Sequence, residues 1–223
     1  MSKRSTVVIT GANRGIGLEL ARHYAAQGWA VIGVCRESSA QLDEVAARVI
    51  EGVDVTSESG IGRMTDELKG ESIELLVNNA GLLQDDKLGN IDFDSIRTQM
   101  EVNAYAPLRV VEALLSQIPP GGKIANITSR MGSIADNDSG GRYGYRASKA
   151  ALNAFGKSLA MDLKEKGIAV AQLHPGYVQT RMVNFGGLIS PEESAKGLAE
   201  RIEALNLDNT GSFWHSNGEQ LPW

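Results

Sequence analysis

The stretch Thr6-Val-Val-Ile-Thr-Gly-Ala-Asn-Arg-Gly-Ile-Gly17 determines which fold is expected for the whole chain. Its first five residues are apolar or β-branched, which is typical of a buried strand. Three glycines follow, and apolar residues at helical spacing begin at Ile16. Glycine permits the positive φ of a tight turn, and a helix that starts directly after such a turn presents backbone N–H groups to a pyrophosphate. The stretch predicts a dinucleotide site, with a glycine-rich turn that binds nothing as the alternative.

The rest of the chain alternates strand-like and helix-like segments. The strands are continuous apolar runs, which is typical of a parallel sheet covered on both faces. Repeated βα units predict an α/β fold of Rossmann type, a doubly wound parallel sheet of about seven strands with helices on both faces. The predicted strands are 6–10, 30–35, 53–55, 73–78, 123–128, 168–173 and 212–214, and the predicted helices are 15–27, 41–50, 57–69, 94–117, 143–166 and 191–204.

Composition excludes several classes of protein. The chain has 223 residues, of which 25 are glycine, and 22 basic against 27 acidic residues give a net charge of −5. No linker divides it, so residues 1–223 are expected to form one domain. Scattered basic residues argue against nucleic-acid binding, and no segment approaches the ~20 apolar residues of a membrane helix. The single Cys35 excludes an internal disulfide and a multi-cysteine metal site. No signal-peptide core is visible either, so we expect a cytoplasmic protein. We also expect no metal.

The end of the second strand bears on the choice of dinucleotide. An NAD site usually has an acidic residue there for the ribose 2′-hydroxyl, but this chain has Cys35 followed by Arg36. Arg14 lies in the glycine turn, and two guanidinium groups at these places can clamp a 2′-phosphate. The pattern favours NADP(H), and two solvated surface arginines are the alternative.

Tyr145 and Lys149 give the sharpest catalytic signal. They are four residues apart and so project from one face of a helix. An ammonium group nearby favours the phenolate and lowers the pKa of a tyrosine, which would let Tyr145 exchange a proton with a carbonyl or carbinol oxygen. Tyr143 has Ala147 in the corresponding position and lacks such a partner. An ordinary amphipathic helix is the alternative.

Five motifs follow one another in the order of a known family. They are Thr10-Gly-x-x-x-Gly-Ile-Gly17, Asn78-Asn-Ala-Gly81, Asn103 within Val102-Asn-Ala104, Tyr145-x-x-x-Lys149 with Ser129 before it, and Pro175-Gly-x-Val-x-Thr180. Over essentially its whole length the chain resembles the classical short-chain dehydrogenase/reductase family, in particular its carbonyl-reductase, Sniffer and C-factor-like branch.

The resemblance implies an oxidoreductase that passes a hydride between NADP(H) and an aldehyde, ketone or alcohol. Tyr145 would transfer the proton, Ser129 would orient the substrate oxygen, Lys149 would bind the nicotinamide ribose, and Asn103 would complete a proton relay through water. His174 is expected to be structural. Cofactor contacts are implied for Gly11, Asn13, Arg14, Gly15, Ile16, Gly17, Arg36, Asp54, Val55, Asn79, Ala80, Gly81, Tyr145, Lys149, Pro175, Gly176, Val178 and Thr180.

The substrate side of the site is less defined by the sequence. A short covering segment, 181–190, predicts an open site with loose selectivity for a small carbonyl or alcohol, and Gly186-Gly187 suggests a mobile lid. The interval from Ser129 to Tyr145 is longer than is usual in the family, because 136–141 forms an additional polar loop. The predicted substrate contacts are Arg130, Met131, Tyr177 and Phe185.

Two further questions stay open at this level. A signalling or sensor protein that binds NADP(H) without physiological turnover is the alternative function, although such a protein would often have lost the Tyr145–Lys149 pair. A homodimer is expected, because the helices predicted at 94–117 and 143–166 form dimer bundles in many relatives of the family.

Overall fold

A seven-stranded parallel sheet forms the centre of the chain, whose structure is a computed structural model that describes residues 4–223. The strands are β1 Thr6–Thr10, β2 Ala30–Val34, β3 Arg48–Ile50, β4 Leu75–Asn78, β5 Lys123–Ile127, β6 Ala169–His174 and β7 Ser212–His215. Their order in the sheet is β3-β2-β1-β4-β5-β6-β7, and every neighbouring pair is parallel.

Helices cover both faces of this sheet. They are α1 Gly15–Ala26, α2 Ala40–Asp43, α3 Glu58–Glu67, α4 Phe93–Met100, α5 Ala106–Leu114, α6 Tyr143–Leu163 and α7 Pro191–Ala204. One apolar core lies under α1 and α7 and includes Leu20 and Leu198, and the other lies under α3, α5 and α6 and includes Met64 and Leu163. The predicted doubly wound α/β fold is thereby confirmed, within a single domain.

The direction of winding reverses between β1 and β4, which are neighbours in the sheet although two strands separate them in the chain. In open parallel sheets, ligands bind beyond the carboxyl ends of the strands at such a switch point. The glycine turn after β1 and the Asn79–Gly81 segment after β4 therefore share one edge of the sheet.

The third strand lies in a different place from the one predicted. The sequence pattern predicted a helix over 41–50 and a strand over 53–55, but the helix ends at Asp43 and residues Arg48–Ile50 pair with β2. The regular strand ends before Gly52, which has φ +71°, and the Val53 N–H still donates to the Cys35 carbonyl at 3.1 Å. The helical spacing of Leu42 and Val45 was misleading, because pairing with the sheet overrides the weak local preference of so short a segment.

The predicted helix 94–117 is divided by one wide turn. Residues Glu101–Tyr105 form a π-helical segment between α4 and α5. Such insertions within α-helices are frequent at functional sites. Asn103 lies in the middle of this segment and is fully buried.

A row of buried amides crosses the middle of the sheet on one face. Asn78, Asn126 and Gln172 occupy paired positions on β4, β5 and β6. Asn78 Nδ2 donates to Asn126 Oδ1 at 2.9 Å, and Asn126 Nδ2 donates to Gln172 Oε1 at 2.8 Å. Gly156 on α6 leaves room for the last of these amides, since a Cβ there would overlap the Gln172 side chain. This polar row fixes the register between α6 and the strands that carry the site.

No helix within residues 4–223 has both the length and the apolar character needed to cross a membrane.

Candidate active site

The glycine turn is closed by a threonine and an asparagine from neighbouring strands. Thr10 Oγ1 accepts hydrogen bonds from the backbone N–H groups of Asn79 and Ala80, at 3.0 and 3.2 Å. Asn79 Nδ2 in return donates to the carbonyl oxygens of Thr10 and Gly11, each at 3.0 Å. The turn after β1 and the segment after β4 are thus locked together.

Close packing explains one glycine in this turn, Gly17, and a left-handed backbone conformation explains another, Gly15. A Cβ on Gly17 would lie 2.5 Å from Asn79 Nδ2 and would overlap the Gly11 carbonyl oxygen. Gly15 has φ +54° and lies under Thr180, whose Cγ2 would be 3.4 Å from a Cβ there. The turn is therefore free of side chains where α1 begins, and Arg14 at the N-cap provides no side-chain hydrogen bond to the first turn. Ile16 is partly buried and packs against the apolar core under α1.

The segment after β2 lies against the glycine turn. Asn13 Nδ2 donates to the Glu37 carbonyl at 2.8 Å, and Ser39 Oγ donates to the Asn13 carbonyl at 2.8 Å. Arg14 and Arg36 flank this contact with exposed side chains. The structure therefore places both predicted arginines at the same end of the cofactor edge.

Asp54 and Val55 follow β3 at that edge. Asp54 Oδ1 accepts from the Thr56 N–H and from Thr56 Oγ1, at 2.9 and 2.7 Å. These two hydrogen bonds, with a smaller contribution from the Arg36 charge, hold the pKa of Asp54 below its usual value despite some burial. One carboxylate oxygen thus forms a local turn with Thr56. Val55 and Ala80 line one cleft together with Thr10.

Tyr145 and Lys149 lie side by side in the first two turns of α6. Both side chains are buried, at 7% and 4% exposure, and Lys149 Nζ is 5.9 Å from the centre of the Tyr145 ring. Lys149 Nζ donates to the Ile127 carbonyl at 2.9 Å, at the end of β5. A Cβ on Gly81 would lie 3.7 Å from the same Nζ, so the segment after β4 also adjoins the lysine.

The ionisation of this pair is governed by burial. Burial raises the pKa of the Tyr145 phenol, while a side-chain hydrogen bond with Ser129 and the Arg142 charge act in the opposite direction. Burial lowers the pKa of Lys149 to about 8. The expectation that Lys149 would lower the pKa of Tyr145 below its usual value is wrong for this structure, because burial outweighs the neighbouring groups. At neutral pH the phenol is protonated and can act as a proton donor.

Ser129 lies two residues beyond β5 and starts a short helical turn over Arg130–Gly132. Its Oγ accepts from the Met131 N–H at 3.1 Å. A Cβ on Gly132 would lie 2.7 Å from the Lys149 carbonyl carbon, so glycine is what allows this turn to pack directly on α6. The packing brings the Ser129 hydroxyl to Tyr145.

Asn103 connects the segment after β4 to α6. Its amide pairs with both backbone groups of Leu82, accepting from the N–H at 2.8 Å and donating to the carbonyl at 2.7 Å. Asn103 Nδ2 also donates to Ser148 Oγ at 3.0 Å, and Ser148 Oγ donates to the Tyr145 carbonyl at 2.9 Å. Sequence reasoning assigned no role to Ser148, which couples the π-helical segment to the helix that carries Tyr145.

The Pro175–Thr180 segment closes the other side of the site. The Pro175 carbonyl accepts from Ser194 Oγ at 2.7 Å, and Gly176 has φ +88° with Ile189 packed where a Cβ would stand. Val178 is buried and pairs with Ile189, and the Thr180 N–H donates to the Val178 carbonyl at 2.8 Å. Since Thr180 lies against Gly15, the Pro175–Thr180 segment and the glycine turn after β1 meet at this residue.

Two of the predicted substrate residues have protein partners. Arg130 forms ion pairs with Asp136, at 3.1 Å, and with Glu219. Met131 Sδ lies 3.8 Å from the nearest Arg142 nitrogen. These contacts make the turn after Ser129 part of a connected surface with the polar loop and with the segment after β7, a link that sequence reasoning missed because Glu219 is 89 residues away.

The covering segment 181–190 carries exposed apolar side chains. Met182, Phe185 and Leu188 are exposed in it, Phe185 at 64%, and Tyr177, four residues before the segment, is 49% exposed. Asn184 and Phe185 both have left-handed backbone conformations, at φ +50° and +60°. Gly187 packs against the backbone of Val178, and a Cβ on Gly187 would overlap that backbone. Close packing therefore accounts for one of the two glycines that suggested a mobile lid.

His174 is held as a neutral ring behind the site. It stands edge-on to His215, with ring centres 4.7 Å apart. Burial lowers the pKa of His174 to about 3, with smaller contributions from His215, Arg130 and Lys149. A ring that stays neutral down to so low a pH carries no positive charge at neutral pH, which fits the expectation of a structural residue.

Comparison with known proteins identifies the class to which this fold and site belong. The family model described as short chain dehydrogenase matches residues 5–186. The chain belongs to the short-chain dehydrogenase/reductase family, whose members are oxidoreductases, as its motifs predicted.

Particular relatives are similar over most or all of the chain. A 1-hydroxy-2-glutathionyl-2-methyl-3-butene dehydrogenase from Rhodococcus sp. is 39% identical, over 98% of this chain and 100% of the relative. The C-signal protein of Myxococcus xanthus is 38% identical, over 68% of this chain and 93% of the relative.

Solved structures confirm the resemblance to the carbonyl-reductase branch. A short-chain dehydrogenase/reductase from Burkholderia multivorans, crystallised with bound NADP, superimposes with a TM-score of 0.91 at 32% identity, covering 99% of this chain and 100% of that chain. The carbonyl reductase Sniffer of D. melanogaster superimposes with a TM-score of 0.89 at 26% identity, with the same coverage.

Proposed function

We propose that the chain is an NADP(H)-dependent reductase of aldehydes and ketones that also catalyses the reverse oxidation of alcohols. The observation that carries this proposal is the convergence of three buried side chains, Ser129, Tyr145 and Lys149, beside a glycine turn at the switch point of the sheet. Ser129 follows β5, and Tyr145 and Lys149 both come from α6.

The residues at this edge fit a dinucleotide. A side-chain-free surface at Gly15 and Gly17 leads to the N-terminus of α1, and the positive end of a helix dipole favours a pyrophosphate. Asp54 keeps a second carboxylate oxygen for the adenine amino group, and Val178 and Thr180 would meet the nicotinamide carboxamide. When bound, NADPH supplies the hydride for reduction and NADP⁺ accepts it in oxidation.

The chain's own residues orient the substrate and move a proton. The Ser129 hydroxyl would donate a hydrogen bond to the substrate oxygen and stabilise the alkoxide character that develops there. Tyr145 Oη would then give its proton to that oxygen. Lys149, which is held by the Ile127 carbonyl, adds a positive charge behind the phenol below pH 8 and would hold the nicotinamide ribose. Asn103 keeps the site together through Leu82 and Ser148, and it would support proton return through water.

The decisive experiment compares Tyr145→Phe with Tyr143→Phe. Tyr143 is two residues earlier on the same helix and is 39% exposed, so its substitution makes the same chemical change outside the site. Tyr145→Phe should reduce kcat for carbonyl reduction with NADPH by at least a hundredfold, within the range that general acid catalysis contributes. Tyr143→Phe should stay within about twofold of wild type. Equal activity of wild type and Tyr145→Phe would reject the assignment.

The preference for NADP(H) over NAD(H) depends on Arg14 and Arg36. Both are exposed beside the contact between Asn13 and Glu37, where a 2′-phosphate would lie between them. Removal of both guanidinium groups should raise KM for NADPH at least tenfold and leave KM for NADH almost unchanged. Arg97→Ala, at an exposed arginine on α4, is the control. An equal or better turnover with NADH in wild type would refute this part of the proposal.

The substrate class follows from the covering segment. Ten residues, 181–190, cover the site, and the apolar side chains Met182, Phe185 and Leu188 are exposed there. Such a cover favours an open site that accepts aldehydes, quinones and diketones without strong selection. The Rhodococcus relative is named for a glutathionyl alcohol, so a substrate panel should include a glutathione-conjugated alcohol beside simple carbonyls. A preference for one ketone by orders of magnitude would contradict the proposed breadth.

A sensor that binds NADP(H) without physiological turnover is the second candidate, and the similarity to C-signal favours it. The two candidates differ in what Tyr145→Phe does in cells. An enzyme loses its cellular function with its reductase activity, whereas a sensor keeps it.

We also propose that the chain forms a homodimer through α5 and α6. The exposed aromatic side chain of Tyr105 packs on Phe155 with ring centres 6.2 Å apart, and Met161 is 61% exposed on α6. Analytical ultracentrifugation at micromolar concentration should give twice the monomer mass, and Met161→Glu should reduce it to the monomer mass.

A further inference from the structure

The first turn of the catalytic helix α6 is capped by a residue that is distant in sequence. Arg142, at the N-cap of α6, has a left-handed backbone at φ +50°, and its side chain is directed to Asp85, with Nε to Oδ1 at 2.7 Å. Asp86 supplies the cap instead. Its Oδ1 accepts from the Tyr143 N–H at 2.7 Å and its Oδ2 accepts from the Gly144 N–H at 3.0 Å.

The Asp86 carboxylate is held in one orientation. The residue is only 5% exposed, and its backbone carbonyl accepts from the Arg142 N–H at 3.1 Å. A negative charge at the positive end of a helix is stabilised by the helix dipole. Three hydrogen bonds therefore join one buried aspartate to three consecutive residues that directly precede Tyr145.

Asp86 belongs to a short segment, residues 82–86, that we term the brace. At its start Leu82 pairs with Asn103, and in its middle the Gln84 N–H donates to Gln99 Oε1 at 3.0 Å. Gln99 is fully buried against Gly144, where a Cβ would lie 2.7 Å from its Nε2. The brace thus links the segment after β4, the π-helical segment and the start of α6.

The loop that precedes Tyr143 makes one side-chain hydrogen bond to the start of α6, in which an Arg146 guanidinium nitrogen donates to Ser139 Oγ at 2.8 Å. The exposed polar loop 136–141 ends at Gly140 and Gly141, which have φ values of +63° and +62°. Arg142 follows with φ +50°. The direction in which α6 starts is therefore determined by the brace more than by the loop that leads into the helix.

We propose that Asp86 is a positioning residue for Tyr145, which it places against Ser129 and Lys149 by fixing the first turn of α6. The inference rests on the proposed function, in which Tyr145 transfers the proton. Asp86 acts through geometry, because its hydrogen bonds end on the backbone of Tyr143 and Gly144 and do not reach the phenol.

The test is Asp86→Asn, because an asparagine has one acceptor oxygen where the cap needs two. The amide nitrogen would face one of the two N–H donors, so one hydrogen bond is lost and the first turn shifts. Misplacement of a catalytic group by about 1 Å costs roughly a hundredfold in rate, so kcat should fall by about tenfold to a hundredfold. The dissociation constant for NADPH, measured by fluorescence titration, should stay within twofold, because the glycine turn is on other elements.

The matched control is Asp92→Asn. Asp92 caps α4 with Oδ1 alone, which accepts from the Asp94 and Ser95 N–H groups at 2.9 and 3.2 Å. Asparagine keeps that oxygen, so the control removes the same charge and preserves both hydrogen bonds. Its kcat should stay within twofold of wild type.

Asp86→Glu provides the second variant if Asp86→Asn folds poorly. It keeps the charge and both oxygens and adds one methylene in a buried place, so it should also lower kcat at unchanged NADPH affinity. A folded Asp86→Asn with wild-type kcat would overturn the proposal, as would a parallel loss of kcat, NADPH affinity and melting temperature in both variants. An absence of carbonyl turnover in the wild type would overturn the proposed function. A failure of the proposed function is therefore seen in the wild type, whereas a failure of the role proposed for Asp86 is seen only in the variants.

Discussion

Replacement of Lys149 by methionine removes a buried ammonium group whose charge opposes folding at neutral pH. The side chain is 4% exposed, and burial lowers its pKa from 10.5 to about 8. The unfolded chain therefore binds more protons than the folded chain between pH 8 and pH 10.5. The buried charge lowers the free energy of unfolding by its full amount below pH 8. This penalty disappears as the pH rises through 10.5, so the folded chain becomes more stable.

The size of the effect follows from that change in pKa. At about 1.4 kcal/mol per pKa unit the full penalty is about 3 kcal/mol, and about 2 to 3 kcal/mol of it should disappear between pH 7 and pH 10. Methionine has no charge to titrate. The free energy of unfolding of wild type should therefore rise, relative to that of Lys149→Met, by this amount over the same pH range.

The assay is urea unfolding of both proteins at pH 7, 8, 9 and 10. The substitution also removes the hydrogen bond to the Ile127 carbonyl, a cost of about 1–3 kcal/mol that does not vary with pH. The test therefore uses how the difference in unfolding free energy between wild type and Lys149→Met changes with pH. The size of that difference at any one pH is not used.

The control is Lys157→Met, at an exposed lysine two turns along the same helix, for which the difference should change little with pH. A difference between wild type and Lys149→Met that stays constant within about 0.5 kcal/mol from pH 7 to pH 10 would refute the reasoning from burial.

Three further outcomes are expected. Gly17→Ala should lower the free energy of unfolding by about 1–3 kcal/mol and weaken NADPH binding, because the new Cβ would lie 2.5 Å from Asn79 Nδ2. An unchanged urea midpoint together with an unchanged NADPH affinity would contradict this packing argument. Because burial raises the pKa of Tyr145, carbonyl reduction should hold its rate from pH 6 to 8 while alcohol oxidation rises above pH 8, and an oxidation optimum at or below pH 7 would argue against that order. Asn126→Leu should lower the unfolding free energy by about 2–5 kcal/mol, since it leaves two buried amides without their partner, and calorimetry would contradict this with an unchanged Tm.

Sequence reasoning was most successful where the deciding interactions are local. The glycine turn, the Tyr145–Lys149 spacing and the apolar runs of the strands all depend on residues within a few positions of one another, and they predicted the fold class and the edge where the site lies. The same reasoning failed at β3, because a three-residue strand is formed by pairing with β2 and not by its own preference.

The ionisation of the site could not be obtained from spacing. The sequence places a lysine one helical turn from a tyrosine, and that proximity alone predicts a lowered tyrosine pKa. The fold buries both groups, and the cost of burying the phenolate outweighs the neighbouring charges. Burial is a property of the packed chain, since it depends on what β5 and the segment after β4 place around the pair.

By itself, then, the amino-acid sequence determined the family, the strand–turn–helix unit that offers a side-chain-free surface, and the residue proposed as proton donor, because each depends on a short run of neighbouring residues. Tertiary structure alone decided which distant groups contact these elements: Asp86 at the start of α6, Ser148 against Asn103, and Glu219 on Arg130. These contacts join residues between 45 and 89 positions apart. The route of the chain that brings them together is a result of sheet order and helix packing, which no local pattern records.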